Sequence, residues 1–320
     1  MRCLIAALAL LTLAGPAHAI CDPAARGRAI EVDVSPVELG YSDWRGLEHL
    51  GTVELTSDNG AFGGLSGLLI ENKGARMIAV SDRGRWFTAF VERDRTGVTT
   101  GLVAPSLTTM RWKRGELTGK RRDAEGLARL GDSILVSFER IHRIMACSEQ
   151  SRLDEFLKLE DWGDLEYNAS LESVAVLPDG RVFAVAEAPD STYGFPFWVI
   201  DPREGGADPI AGHIPQEDRH HVTDAAIAPD GKYYVLERHY SPLTGVDVRV
   251  VRYWPDRRGL PDPPTWELLA RWDSTSGIDN MEGLALWTDA LGRLRLTLVA
   301  DDNFSGIQRT LLIDTVVRRP

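Results

Sequence analysis

The sequence predicts an all-β protein, a β-propeller with five blades favoured over six, on three observations. A two-anchor segment recurs five times, the recurrences are spaced like blades, and helical periodicity is almost absent. The first anchor opens on a small or acidic residue followed by a small one and an aliphatic: Ser66-Gly67-Leu68, Glu125-Gly126-Leu127, Glu172-Ser173-Val174, Asp224-Ala225-Ala226 and Glu282-Gly283-Leu284. Successive first anchors lie 59, 47, 52 and 58 residues apart, close to the roughly 40 to 50 residues of a four-stranded blade with loop insertions. The only modest helical candidate is Leu153 to Asp161.

Each first anchor is followed by a turn and a strand. The turns, among them Asn72-Lys73-Gly74, Pro178-Asp179-Gly180 and Pro229-Asp230-Gly231, are built from residues that accept positive φ. The strands after them are aliphatic or β-branched and run into an acid, the second anchor: Asp82, Glu139, Glu187, Glu237 and Asp301-Asp302. Trp86, Trp198, Trp254, Trp266 and Trp272 fall at strand positions and are read as packing between blades. Gly51 to Thr56 is placed to pair beside Arg309 to Val317 and complete the last blade, which would protect an exposed sheet edge. Residues 20–50 are expected to form an N-terminal arm, or part of a sixth blade, ahead of a single propeller domain spanning 51–320.

The N-terminus reads as a targeting segment. Met1-Arg2 is a short cationic start, Leu4 to Ala14 an apolar run, and Ala17-His18-Ala19 a small-x-small cleavage signal. Cleavage near Ala19 predicts a periplasmic or secreted protein with no membrane span, and Ile20 before Cys21 is the wrong residue for lipidation. Cys21 and Cys147 would then remain, either as a disulfide tying the arm to the body or as two separate cysteines. The formal charge of −11 argues against nucleic acid as a partner and in favour of cations. A monomer is expected.

In a repeat architecture equivalent positions fall at equivalent radii, so the recurring acids must converge near one mouth of the channel. Like charges brought together repel, and each raises the pKa of its neighbours, unless a cation neutralises them. A hard divalent ion, calcium, suits six to eight carboxylate and carbonyl oxygens. The second available counter-charge is arginine, in Asp82-Arg83, Glu139-Arg140 and Glu237-Arg238. Another reading of the same acids is structural, as strand caps that hold neighbouring blades together. A serine-hydrolase reading is weaker, because Gly64-Leu65-Ser66-Gly67-Leu68 lacks the final glycine of the G-x-S-x-G elbow and sits among strands, and its best histidine partners, His220, His221 and His239, equally read as loop residues.

The segments Ser66-Gly67-Leu68 with Ser81-Asp82-Arg83-Gly84, Asp123-Ala124-Glu125-Gly126-Leu127-Ala128, Leu171-Glu172-Ser173-Val174-Ala175, and Asn280-Met281-Glu282-Gly283-Leu284-Ala285 with Ala300-Asp301-Asp302-Asn303 resemble the family known as esterase-like activity of phytase. The resemblance runs from about Leu65 to Val317 and implies a propeller that hydrolyses phosphate or carboxylic esters. With it, the expected site has Glu125, Glu172, Glu282 and Arg83 in catalysis. Asp82, Glu139, Glu187, Asp224, Glu237, Asp301 and Asp302 would be calcium ligands, and Arg85, Arg140, Arg238 and His239 would hold the substrate. The alternative is a non-catalytic propeller that binds a small ligand or a protein on its acidic face.

Overall fold

A computed structural model describes residues 21–318 except 114, 150–151, 158–164, 166–169, 191–193 and 207. The leader and its cleavage site, 1–19, lie outside the described residues. Five sheets follow one another along the chain, antiparallel except for one parallel pairing of Arg152 with Arg111 in the second, and no α-helix occurs among the described residues. The blades begin with the strands Leu65–Glu71, Ala124–Leu130, Leu171–Val176, His221–Ile227 and Asn280–Thr288. Each of these first strands touches the first strand of the next blade, and Asn280–Thr288 returns to Leu65–Glu71, so together they form the inner wall of a five-bladed propeller.

The alternation of the strands explains why blades stack. Successive side chains point to opposite sheet faces, and a blade between two neighbours buries both. Ile134 and Val136 therefore enter the core shared with the first blade, and Leu135, between them in sequence, enters the core shared with the third. Five apolar cores result, one in each gap between neighbouring blades. Trp86, Trp198 and Trp272 are buried in three of them, whereas Trp266 is 37% exposed. The hairpin turns after the first strands have the positive φ their residues anticipate, with Gly180 at +88° and Gly231 at +83°.

No sixth blade forms from the N-terminal region. Asp33–Val37 and Leu47–Thr56 are the outer strands of the fifth blade, where Leu47–Thr56 pairs antiparallel with Thr310–Val317. Arg28–Ala29 adds to the edge of the first blade and Asp43–Trp44 to that of the fourth. Cys21 and Cys147 are joined as a disulfide in the core between the first and second blades.

The helical reading of Leu153 to Asp161 is corrected in its described part, because Arg152–Leu157 is the fourth strand of the second blade; residues 158–161 lie outside the described residues. Leu153 and Leu157 are four apart, a spacing that suits a helix face. A register shift opposite Ile144 and Met145 sends them instead into different inter-blade cores.

Candidate functional site: a carboxylate ring at one end of the channel

The first anchor of every blade coincides with a break in strand pairing. The register between the first and second strands shifts across Leu65/Leu68, Ala124/Leu127, Leu171/Ser173, Val222/Asp224 and Met281/Gly283. A β-bulge re-aims the side chain it frees. The residues freed first in each bulge are Ser66, Glu125, Glu172, Thr223 and Glu282. They form one tier at the channel mouth, with a threonine where the sequence repeat suggested an acid.

The residue after each of these sets the spacing between blades. A Cβ on Gly67 would stand 2.4 Å from the Glu125 carbonyl oxygen, one on Gly126 2.7 Å from the Val174 nitrogen, and one on Gly283 2.0 Å from the Ser66 carbonyl oxygen. Inner strands approach so closely that these positions must be glycine or carry a side chain that bonds across the gap. Ser173 and Asp224 take the second course. Ser173 Oγ donates to Asp224 Oδ1 at 2.8 Å, and Asp224 accepts from the backbone nitrogens of Ala225 and Leu284. Asp224 is thus one position out of register with Glu125, Glu172 and Glu282. It is a fully buried strut between blades, not a member of the mouth, and burial pushes its pKa up to about 7.

The second tier shows the same one-residue correction. Ser81, Phe138, Ala186, Glu237 and Ala300 occupy equivalent paired positions opposite the first strands, so the next residues form the tier: Asp82, Glu139, Glu187, Arg238 and Asp301. Glu237 points away, is wholly buried, and accepts from Arg249 Nε at 2.5 Å; burial raises its pKa to about 7 even with that arginine beside it. Its neighbour Arg238 takes the ring position. Arg238 donates to Asn280 Oδ1 at 2.5 Å and stands 3.4 Å from Glu282 and 3.7 Å from Glu187. Burial opposes its charge, but the carboxylates Glu282, Glu187, Glu172 and Asp301 raise its pKa overall.

The carboxylates cluster most tightly beside the second and third blades. Asp123, Glu125 and Glu139 each offer an oxygen within 4.8 Å of the others, and so do Glu139, Glu172 and Glu187. Glu139 joins the two groups. Burial, then Asp123, pushes Glu139 up to about 8. Burial, followed by the charges of neighbouring ring acids, drives Glu125 and Glu172 well above the usual carboxylate range. Burial raises Asp301 to about 8 and Asp82 to about 6, and it raises Glu282 as well, with Arg238 opposing. One carboxylate oxygen of Asp82 is buried without a hydrogen-bond partner. The ring therefore carries more carboxylates than its own cations neutralise, and its donor set is all oxygen. That fits a hard divalent cation.

The remaining expected residues are dispersed. Asp302 anchors loops, accepting from the Gly64 and Phe304 nitrogens. Arg83 is exposed and its guanidinium lies 3.2 Å over the Phe304 ring. Arg140 sits at the rim with Nε 2.6 Å from Asp123 Oδ2, and Arg85 opens the third strand of the first blade, half-buried. His239 lines a cleft between the third and fourth blades and makes an edge contact with His220 at 6.2 Å. Sequence reasoning gave no role to Asp123, Thr223 or Asn280. Asp123 had a readable signal, because it lies two residues before Glu125, the spacing that returns a strand to the same face.

A protein-family model described as phytase-like, esterase-like activity of phytase, matches residues 60–304. The chain belongs to this phytase-like family. The matched span begins before the first bulge and ends beyond Asp302, so it contains both tiers of the ring. No curated protein matches the chain. Among solved structures, a protein of unknown function from Dyadobacter fermentans is 11% identical, covering 94% of this chain and 98% of that one, with a TM-score of 0.44. A PQQ-bound aldose sugar dehydrogenase from Streptomyces coelicolor is 16% identical over 92% of this chain and 100% of that one, with a TM-score of 0.39. Likenesses this distant say nothing about the chemistry of the phytase-like ring.

Proposed function

We propose that this phytase-like propeller is an extracytoplasmic hydrolase of small phosphate or carboxylic esters, working with a divalent cation held in the carboxylate ring. The observation that carries the reading is the pair of carboxylate triads meeting at Glu139, whose mutual repulsion a dication would relieve. Asp123, Glu125, Glu139, Glu172 and Glu187 would hold the ion, and calcium is the metal that best suits an all-oxygen set of this size. Bound there, the ion would supply Lewis acidity toward an ester oxygen and toward water. Arg238 would hold a substrate oxygen, oriented by Asn280 and Glu282. Asp301, raised to about 8 by burial, can keep a proton near neutral pH and give it to the leaving alkoxide, and Glu282, also raised by burial, stands beside Arg238. Water adds across the ester bond, the alcohol leaves with one proton, and the acid keeps the hydroxyl. The buried Cys21–Cys147 bridge supports the extracytoplasmic part of the reading, since such bonds persist in oxidising compartments.

A specific observation favours the second reading, a non-catalytic binding propeller. Arg238 already places one cation inside the ring, and protons on Glu125 and Glu172 can satisfy much of the rest. Calcium titration by calorimetry, together with hydrolysis of p-nitrophenyl phosphate and p-nitrophenyl acetate, separates the two. The hydrolase reading expects calcium binding, and chelator-sensitive turnover of at least one ester that Glu125→Gln and Glu172→Gln abolish. Absence of both calcium binding and turnover would leave the binder.

A further inference from the structure

Beside the ring, between the third and fourth blades, lies a cleft of roughly 760 Å³, within the range of about 300 to 1,000 Å³ that takes a small organic ligand. Three segments build it: the chain leaving the second strand of the third blade at Glu187, the connection carrying Gln216, Asp218 and Arg219, and the second strand of the fourth blade from Arg238 to Tyr240. Glu187 and Arg238 belong to both the cleft and the ring, so a ligand in the cleft reaches the carboxylates directly. The lining is chemically mixed. Two carboxylates, Glu187 and Asp218, two guanidinium groups, Arg219 and Arg238, and two imidazoles, His221 and His239, line it, and the Gln216 amide is held by a bond from its Nε2 to the His220 carbonyl.

Tyr240 offers this wall an aromatic face, 61% exposed near the half-buried end of its strand. The balance of charge decides the ligand class. An anion would call for an excess of cations, and an acyl chain for an aliphatic trough, yet the aliphatic lining is limited to Ala188 and Pro189. Carboxylates that only accept, guanidinium groups that only donate, imidazoles that can do either, and the exposed Tyr240 ring together match a molecule whose hydroxyls donate and accept and whose ring C–H face stacks on an aromatic.

We propose that this cleft binds a saccharide. Resting on the hydrolase reading above, the ester cleaved at the ring is then one whose alcohol part is a sugar. The test measures binding of maltose, cellobiose and a glycan array to the mature protein, with phenylphosphonate as the anionic competitor. At least one saccharide is expected to bind, with affinity falling about tenfold or more in Tyr240→Ala and in Arg219→Ala. Both residues are exposed, so the melting temperature should hold. Tyr41→Ala, an exposed tyrosine that does not line the cleft, should leave saccharide affinity within about twofold. The proposal fails if no saccharide binds, if both cleft variants bind as the wild type does, or if phenylphosphonate occupies the cleft in preference to every saccharide. Saccharide binding without calcium binding or hydrolysis of any sugar ester would sink the hydrolase reading and keep the cleft. Calcium binding and ester turnover with no saccharide bound would do the reverse.

Discussion

At the scale of single residues, the fourth blade shows how much one position matters. Glu237 and Arg238 are adjacent, and in a strand adjacent side chains face opposite ways, so only one of them can reach the mouth. The repeat pattern suggested the acid, but strand pairing puts the arginine there and sends Glu237 to Arg249 in the gap toward the third blade. The two kinds of acid should respond differently to substitution. Glu237→Ala strands a buried guanidinium and should cost about 3 to 5 kcal/mol. Glu172→Gln removes one of several repelling charges and should leave the metal-free protein as stable or more so, with weaker calcium affinity. Chemical denaturation with and without calcium reads both. Equal destabilisation by the two changes would make the ring a scaffold.

At the scale of elements, the bulge at the start of every inner strand is the device that turns a repeat into a site. It frees Glu125, Glu172 and Glu282 toward the mouth and leaves the next residue to set how closely blades approach. Gly126 illustrates the constraint, since its Cβ would meet the Val174 nitrogen, the Ser173 Cα and the Glu172 oxygen, all within 3 Å and none on a flexible side chain. Gly126→Ala should therefore cost about 1 to 3 kcal/mol and also weaken calcium binding, because it displaces the strand that carries Glu172. Gly131→Ala is the control: its φ is +55° and nothing lies within 4 Å of the added carbon, so it should lower stability by about 1 kcal/mol without touching the metal response. Thermal melts with a calcium titration check the pair, and an unchanged calcium affinity in Gly126→Ala would disconnect the bulge from the site.

For the whole molecule, five inter-blade cores and a few buried polar ties hold the circle. At the seam between the fifth and first blades, Asp314 accepts from Arg93 Nη1 at 2.6 Å and from the Thr99 nitrogen and hydroxyl. The ring works against this cohesion. Glu139 and Asp301 titrate near 8 and Asp82 near 6 in the folded chain, against about 4 when unfolded. Between those values the folded state binds more protons than the unfolded one, so stability is full below about pH 4 and is lost as pH rises toward 8. The metal-free melting temperature should fall from pH 5 to pH 8, and saturating calcium should flatten the slope by replacing the protons. A melting temperature that rises over this window would show that the ring acids are stabilised as anions by the protein itself.

The propeller fold was legible in the sequence because each blade repeats the same local physics: an aliphatic strand, a turn that tolerates positive φ, a second strand ending at the mouth. The sequence favoured five blades over six, and only the pairing of Asp33–Val37 and Leu47–Thr56 into the fifth blade decided it. The acids at Glu125, Glu172, Glu282, Asp82, Glu139, Glu187 and Asp301 could be placed at one end of the channel for the same reason. Asp224 and Glu237 could not be separated from them, because a bulge has no residue signature of its own and a shift of one position reverses the face of a strand. Pairing across the sheet alone decided that Thr223 and Arg238 stand in the ring, that Asp224 binds one blade to another, and that a cleft opens beside Arg238.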